Sequence, residues 1–366
     1  MHLSRIRLKD YRSYDTLLLE PQDGLCVLVG ENAAGKTNIL EAIFLCALGR
    51  SHRTRHDSEL IRYNQPAAAV ALALNKRSGT HNISCKLWRE QPRELRIDDK
   101  PLARSGELLG CLHVVMFSPE DLRIIKQGPA ERRRFLDMEL SQLYPAYYYA
   151  LQQYNTALRQ RNALLKDPTA APALHAPFEA LLARIGADIM QRRANFMELL
   201  ARTASGLHQE LSGGKETLSI RYQPSLEEHG GFSADTLHDA LCATRARDQQ
   251  RGSTALGPHR DDMLLELNDV DVRAYGSQGQ QRTTALSLKL SELLLLRELE
   301  KDPPVLLLDD VLSELDCARQ RQLVAAMQGC QTFLTCTQLA GLSDAGVKDM
   351  AVYRVKDNRA EREERA

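Results

Sequence analysis

The sequence predicts an α/β fold: a phosphate-binding domain of two lobes, one an antiparallel β lobe, with an inserted helical subdomain. Three observations carry this. A glycine loop, Gly30 to Thr37, stands between an apolar strand and a helix; the apolar run Val305–Leu308 much later ends in two aspartates; and a long helical tract separates them. At 366 residues the chain exceeds the roughly 250–300 that one core organises, so a main domain plus a subdomain is expected. Lys and Arg total 48, as do Asp and Glu, so net charge points to no partner and any nucleic-acid surface must be local. The longest apolar run, Ala67 to Leu74, is far short of the roughly 18 residues of a membrane span. No membrane partner is expected. The first ten residues alternate charged and apolar types and offer no secretory segment, and the eight cysteines form no CxxC pair, which suits reduced thiols in a cytoplasm.

Strands are predicted at Ile6–Leu8, Leu17–Glu20 and Leu25–Val29, then a helix from Lys36 to Leu48 ending at Gly49. Short β-rich runs at Ala69–Leu74, Ile83–Trp88 and Glu94–Ile97, split by Ser78-Gly79 and Gln91-Pro92, form the antiparallel lobe. His113–Phe117 adds a strand. From Arg132 to His208 the pattern is helical, with Pro145 opening one helix and a break from Asp167 to Pro177 before another. Strands near Thr217–Tyr222 and Met263–Leu267 flank a helix near Leu237–Arg247. A long helix from Gln278 to Glu300 then precedes the strand at Val305. The expected division is 1–118 with 215–366 as the phosphate-binding domain and 119–214 as the insertion. The charged residues from Lys356 to Ala366 are expected to fray.

Gly30-Glu31-Asn32-Ala33-Ala34-Gly35-Lys36-Thr37 fits G-x-x-x-x-G-K-[ST]. Its glycines let backbone N–H groups curl around the β- and γ-phosphates of ATP. The helix start adds partial positive charge, Lys36 neutralises the phosphates, and the Thr37 hydroxyl suits Mg²⁺. Asp309 and Asp310 sit at the carboxyl end of a buried strand, where parallel sheets place ligands. Asp309 is expected to reach Mg²⁺, and Asp310 to orient the attacking water or accept its proton as the catalytic group.

Two segments compete for a second phosphate-contacting role. Leu211-Ser212-Gly213-Gly214 spells a known signature, but the strand-like Thr217–Tyr222 follows it, so it reads as a turn. Gly276-Ser277-Gln278-Gly279-Gln280 opens the helix that precedes the aspartate strand and is the better candidate. Ser277 and Gly279 open a helix start suited to an anion, with Gln280 beside them; the cassette fold that these motifs resemble sets such a helix far from its own phosphate loop, which implies that the three residues act on ATP held by a second subunit.

Taken together, these motifs resemble an ATP-binding-cassette ATPase of the SMC-like group, and within it the RecF family of bacterial replication and repair proteins. The resemblance extends to Asp10-Tyr11-Arg12-Ser13-Tyr14, Gly49-Arg50-Ser51-His52-Arg53-Thr54, Phe117–Leu122, Arg132–Asp137, Leu256–Asp262 and Leu307–Asp316. It implies an ABC/SMC-like head with a short helical second domain, ATP-dependent dimerisation, and nucleotide contact by Arg12. It further implies DNA binding, single- or double-stranded, with little sequence preference, and work with RecO and RecR in loading recombinase at gaps. Asp310 replaces the glutamate of most cassettes and Thr337 their switch histidine, so slow hydrolysis is expected. Gln127 is a candidate Mg²⁺-sensing residue. Among several arginine clusters, Arg53, Arg55, Arg132 and Arg133 are the candidate DNA contacts. The competing readings are the ATPase subunit of a membrane transporter and a monomeric phosphotransferase.

Overall fold

The computed structural model describes residues 1–226, 232–339, 347 and 349–363, and in it the alternating apolar positions of the N-terminal segment become an antiparallel sheet. Its strands are β1 (His2–Tyr11), β2 (Tyr14–Leu19), β4 (Ala67–Lys76), β5 (Gly79–Trp88), β6 (Glu94–Ile97) and β7 (Lys100–Pro101), in the order β2-β1-β4-β5-β6-β7. Inward residues such as Leu3, Ile6, Val70, Leu72, Ile83 and Cys85 are buried, as period-two alternation requires.

A second sheet holds β3 (Leu25–Val29), β8 (Val114–Phe117), β12 (Val305–Asp309), β13 (Thr332–Cys336), β14 (Met350–Lys356) and β15 (Arg359–Arg362), in the order β15-β14-β3-β13-β12-β8. All its pairings are parallel except the β14–β15 hairpin. Helix α1 (Lys36–Leu48) packs against strands of both sheets and is apolar around most of its circumference, the pattern of a helix buried on all sides. Gly49, left-handed at φ 65°, ends it by donating to the Leu45 carbonyl. These elements form one compact unit, Met1–Asp121 with Glu292–Ala366.

The other unit, Leu122–Ser291, is helical around a small sheet. It contains α2 (Leu122–Lys126), α3 (Pro129–Leu143), α4 (Pro145–Leu165), α5 (Ala176–Ser212), α6 (Ala234–Arg251), α7 (Val272–Tyr275) and most of α8 (Gln278–Leu299). Strands β9 (Leu218–Gln223), β10 (Asp262–Leu267) and β11 (Val270–Asp271) pair antiparallel in the order β11-β10-β9. Proline at the first position opens α3 and α4, where its missing N–H costs nothing. Helix α9 (Cys317–Met327) lies in the first unit.

Three expectations change. The chain does not return to the phosphate-binding unit at 215: β9–β11 and α6 pack with the helical hairpin, α5 against β9 and α6, and the division falls within α8. The charged tail does not fray from Lys356, since Arg359–Arg362 is paired as β15; residues 364–366 lie outside the described set. Strands β14 and β15 and helix α9, absent from the sequence expectation, complete the sheet and its flank. The hairpin turns at Asp357 and Asn358, both at positive φ (49° and 57°), as a two-residue turn of the I′ kind requires.

Candidate ATP site

Residues at opposite ends of the sequence form one cleft of about 230 Å³ in the first unit, lined by the phosphate loop, Asn38, Arg53, Asp309, Asp310, Thr335 and Thr337. The sheet order explains it: β3 delivers the loop, its neighbour β13 delivers Thr335 and Thr337, and β12 delivers the aspartates. The loop crest Glu31–Ala33 is exposed while Gly35 and Lys36 form a buried floor. Ala33 at φ 65° and Gly35 at φ 107° bend the backbone into left-handed conformations. A Cβ at Gly35 would stand 2.8 Å from the Tyr14 hydroxyl, which donates to the Gly35 carbonyl at 3.2 Å. The outer flank is equally close, because a Cβ at Gly30 would collide with the Val355 carbonyl.

Lys36 Nζ donates to the carbonyls of Gly30 (2.6 Å) and Glu31 (2.8 Å), so its charge is held over the loop. Burial pulls its pKa below the usual lysine value, against Asp310 and Asp309, which raise it. Asp309 Oδ1 accepts from Thr37 Oγ1 at 2.9 Å and from Thr335 Oγ1 at 2.8 Å. Thr335 also accepts the Asp310 N–H at 2.9 Å, and Asp310, at φ 53°, turns the chain out of the sheet. Its side chain is exposed on the cleft, and the Ser313 hydroxyl donates to its carbonyl at 2.8 Å.

The structure redistributes several expected roles. Arg12 directs Nε and Nη2 to Glu41 (2.8 and 2.7 Å) and Nη1 to the Glu59 carbonyl, so its visible part is to hold a fully buried carboxylate beneath the loop. Burial alone would raise the Glu41 pKa; hydrogen bonds from Arg12 and Ser51 overcome it and leave the group below its ordinary value. Arg53, expected on DNA, lines the cleft and donates to Asn38 Oδ1 at 3.3 Å, while Asn38 donates to Ser13 Oγ at 3.1 Å. Sequence reasoning missed Asn38 and this use of Arg53; Asn38 directly follows Thr37, and the Gly49 stop turned the chain back toward the loop. Gln127 stands ten residues beyond the end of β8 at Phe117, in the second unit, and its carbonyl accepts from Arg132. It is not among the residues that line this cleft.

Two further DNA candidates make bonds within the second unit. Arg132 donates two parallel hydrogen bonds to Asp262, from Nε to Oδ1 (2.7 Å) and from Nη2 to Oδ2 (2.8 Å), and Arg133 donates to the Asp261 carbonyl at 2.7 Å. Arg161 and Arg193, elsewhere in the same unit, are fully buried, on Glu179 and Asp248 and on Asp137 respectively. Tyr147 is buried among them and donates to Asp137. Arg55 remains exposed.

In the second unit Leu211–Gly214 is the end of α5, with Gly213 left-handed at φ 64°, as its reading as a turn requires. Ser277, Gln278 and Gly279 are exposed at the start of α8.

Residues 2–361 match the RecF/RecN/SMC N terminal domain family. The chain is 41% identical over 359 residues to the DNA replication and repair protein RecF of Alkaliphilus oremlandii (strain OhILAs), covering 97% of this chain and 98% of that one. A solved recombination mediator protein RecF with ATP, of the RecFOR pathway, superposes with a TM-score of 0.92 at 34% identity over 99% of this chain and 98% of that one. The Smc head domain of Pyrococcus furiosus shares the fold, with a TM-score of 0.58 at 17% identity over 99% and 96% of the two chains.

Proposed function

The chain belongs to the RecF/RecN/SMC family, and from that premise we propose that it is a RecF-type, ATP-switched DNA-binding protein of recombinational repair and replication restart. The observation that carries this reading is the Thr37–Asp309–Thr335 junction, which joins both halves of a nucleotide site in one cleft. ATP enters with its phosphates over the Gly30–Thr37 amides, and Lys36 exchanges its two loop carbonyls for phosphate oxygens. Thr37 and Asp309 offer converging hard oxygens that fit Mg²⁺, which would neutralise phosphate charge when bound. Asp310, exposed on the cleft, orients the attacking water and accepts its proton; one methylene shorter than glutamate, it hydrolyses slowly. Ser277 and Gly279 of a second copy complete the site, so ATP holds a dimer and hydrolysis releases it.

The dimer binds DNA through phosphates with little regard to sequence, and the exposed Arg55 is the contact retained from the sequence expectation. RecO and RecR are its proposed partners. A transporter ATPase finds no support in family or fold, and among the described residues no helix is long and apolar enough to cross a membrane. The test compares DNA binding by the unsubstituted protein and Asp310→Asn, each with and without ATP, across a salt series. Tightest retention by Asp310→Asn with ATP, falling steeply with salt, is expected. Equal affinity with and without ATP would overturn the nucleotide-gated clamp.

A further inference from the structure

Ser277, Gln278 and Gly279 face solvent at the very start of a helix, where four N–H groups lack intrahelical acceptors. Such a start frays unless side chains hold it. Here Ser277 N–H donates to Gln280 Oε1 at 2.8 Å, and Gln280 N–H donates to Ser277 Oγ at 3.2 Å, a reciprocal cap. Ser277 Oγ accepts within the cap, while its hydroxyl stays exposed and able to donate.

The cap works in only one orientation of the Gln280 amide. With Oε1 on the Ser277 N–H, Nε2 lies on the far side, and there it donates to Glu216 Oε1 at 2.9 Å. Reversing the amide would set NH₂ against N–H and a carbonyl against a carboxylate, losing both bonds. The other Glu216 oxygen meets Nε2 of His208, a fully buried histidine, at 3.1 Å, and His208 Nδ1 meets Ser287 Oγ on α8 at 3.1 Å. Glu216 reaches this place because α5 ends at Ser212 and the left-handed Gly213 and Gly214 turn the chain back beside its last turns.

We propose that Glu216, held from behind by His208, is a positioning residue for the signature loop: it fixes the Gln280 amide and, through it, the exposed Ser277 hydroxyl. This rests on the cross-subunit role of Ser277 proposed above. Gln280 is thereby a spacer between carboxylate and serine rather than a phosphate ligand. The turn spelled Leu211–Gly214 has a use after all, as the bend that delivers Glu216.

The experiment measures ATP affinity of the monomer and, separately, the ATP concentration at half-dimerisation by light scattering, with thermal melting as a check on folding. Glu216→Ala should leave monomer affinity within about twofold and raise the half-dimerisation concentration about tenfold, the scale of one charge-assisted hydrogen bond. Glu216→Gln, which can still accept from Gln280, should recover most of that loss. Gln280→Glu, at a half-buried position, sets two carboxylates face to face; it should show the same defect, and adding Glu216→Gln should relieve it. Normal dimerisation by Glu216→Ala, or no relief in the double variant, overturns the proposal. Absence of an ATP-driven dimer in the unsubstituted protein overturns the cross-subunit reading and this inference with it.

Discussion

The phosphate loop and the proposed signature loop are both helix starts, yet they are held in opposite ways. The first is clamped by backbone: left-handed Ala33 and Gly35, the Val355 carbonyl against Gly30, and Tyr14 against Gly35, with Lys36 buried beneath. The second is exposed and relaxed, held by a file of polar side chains from Gln280 to His208. A clamp of backbone leaves a site ready for its ligand within one chain. A loop braced only from behind keeps its front open for a partner, so damage to the first should appear in nucleotide affinity and damage to the second in assembly.

The sharpest break is Lys36→Met. It removes the compact charge over the loop and should lower ATP affinity at least about 1,000-fold with little change in melting temperature, read by nucleotide titration. An unchanged affinity would end the distinction at its first term.

Acid should damage the second unit through His259. Burial lowers this histidine's pKa from 6.5 to about 4, with Tyr154 Oη at 2.8 Å from Nδ1 and the Thr254 carbonyl at 3.1 Å from Nε2. The unfolded chain therefore takes up a proton near pH 6.5 that the folded chain refuses until about 4. The His259 contribution to stability should fall as pH drops through that window, by about 3 kcal/mol in all. Denaturant titrations at several pH values measure it, and His259→Gln should flatten the slope.

A smaller effect should follow Thr335→Val, which keeps the shape but removes the donor to Asp309 and the acceptor for the Asp310 N–H. Hydrolysis should slow about tenfold while ATP binding stays within about threefold, on the scale of one or two hydrogen bonds. Equal losses in both would show that the aspartate turn belongs to binding. The least effect belongs to Ser212→Ala, whose contacts to Gln209 and Glu216 are long, 3.3 to 3.5 Å. Stability should move by less than about 0.5 kcal/mol, and dimerisation not at all.

What the sequence made legible follows from where each signal sits. Helix α1 is bounded by the loop lysine and a glycine stop, and α4 by Pro145, so punctuation alone located them. The two aspartates were readable because chemistry demands them at a strand end. The basic clusters were only partly legible because a helix pattern does not show which arginine turns inward. Their partners are remote in sequence, as with Arg132 and Asp262 or Arg161 and Asp248. The unit boundary was hidden for a related reason: β9 and β10 alternate like head strands, and only their packing against α3 and α5 assigns them. The final hairpin was legible in principle. Met350–Lys356 alternates, and Asp357-Asn358 can adopt paired positive φ, but the surrounding charge resembles a solvated tail.

The order of strands around the phosphate loop also fixes when in the life of the molecule the site can exist. Strand β3 ends at Val29, but the strands on either side of it are residues 332–336 and 350–356. A ribosome adding about 5–20 residues per second needs roughly 15 to 60 s to cover that interval of about 300 residues. Throughout it, the apolar Leu25–Val29 strand waits with both edges open, a surface for holding factors or for mispairing with another nascent chain. Nascent chains stalled before residue 332 should therefore not retain ATP, and nucleotide binding marks the moment at which the last strands have joined the first.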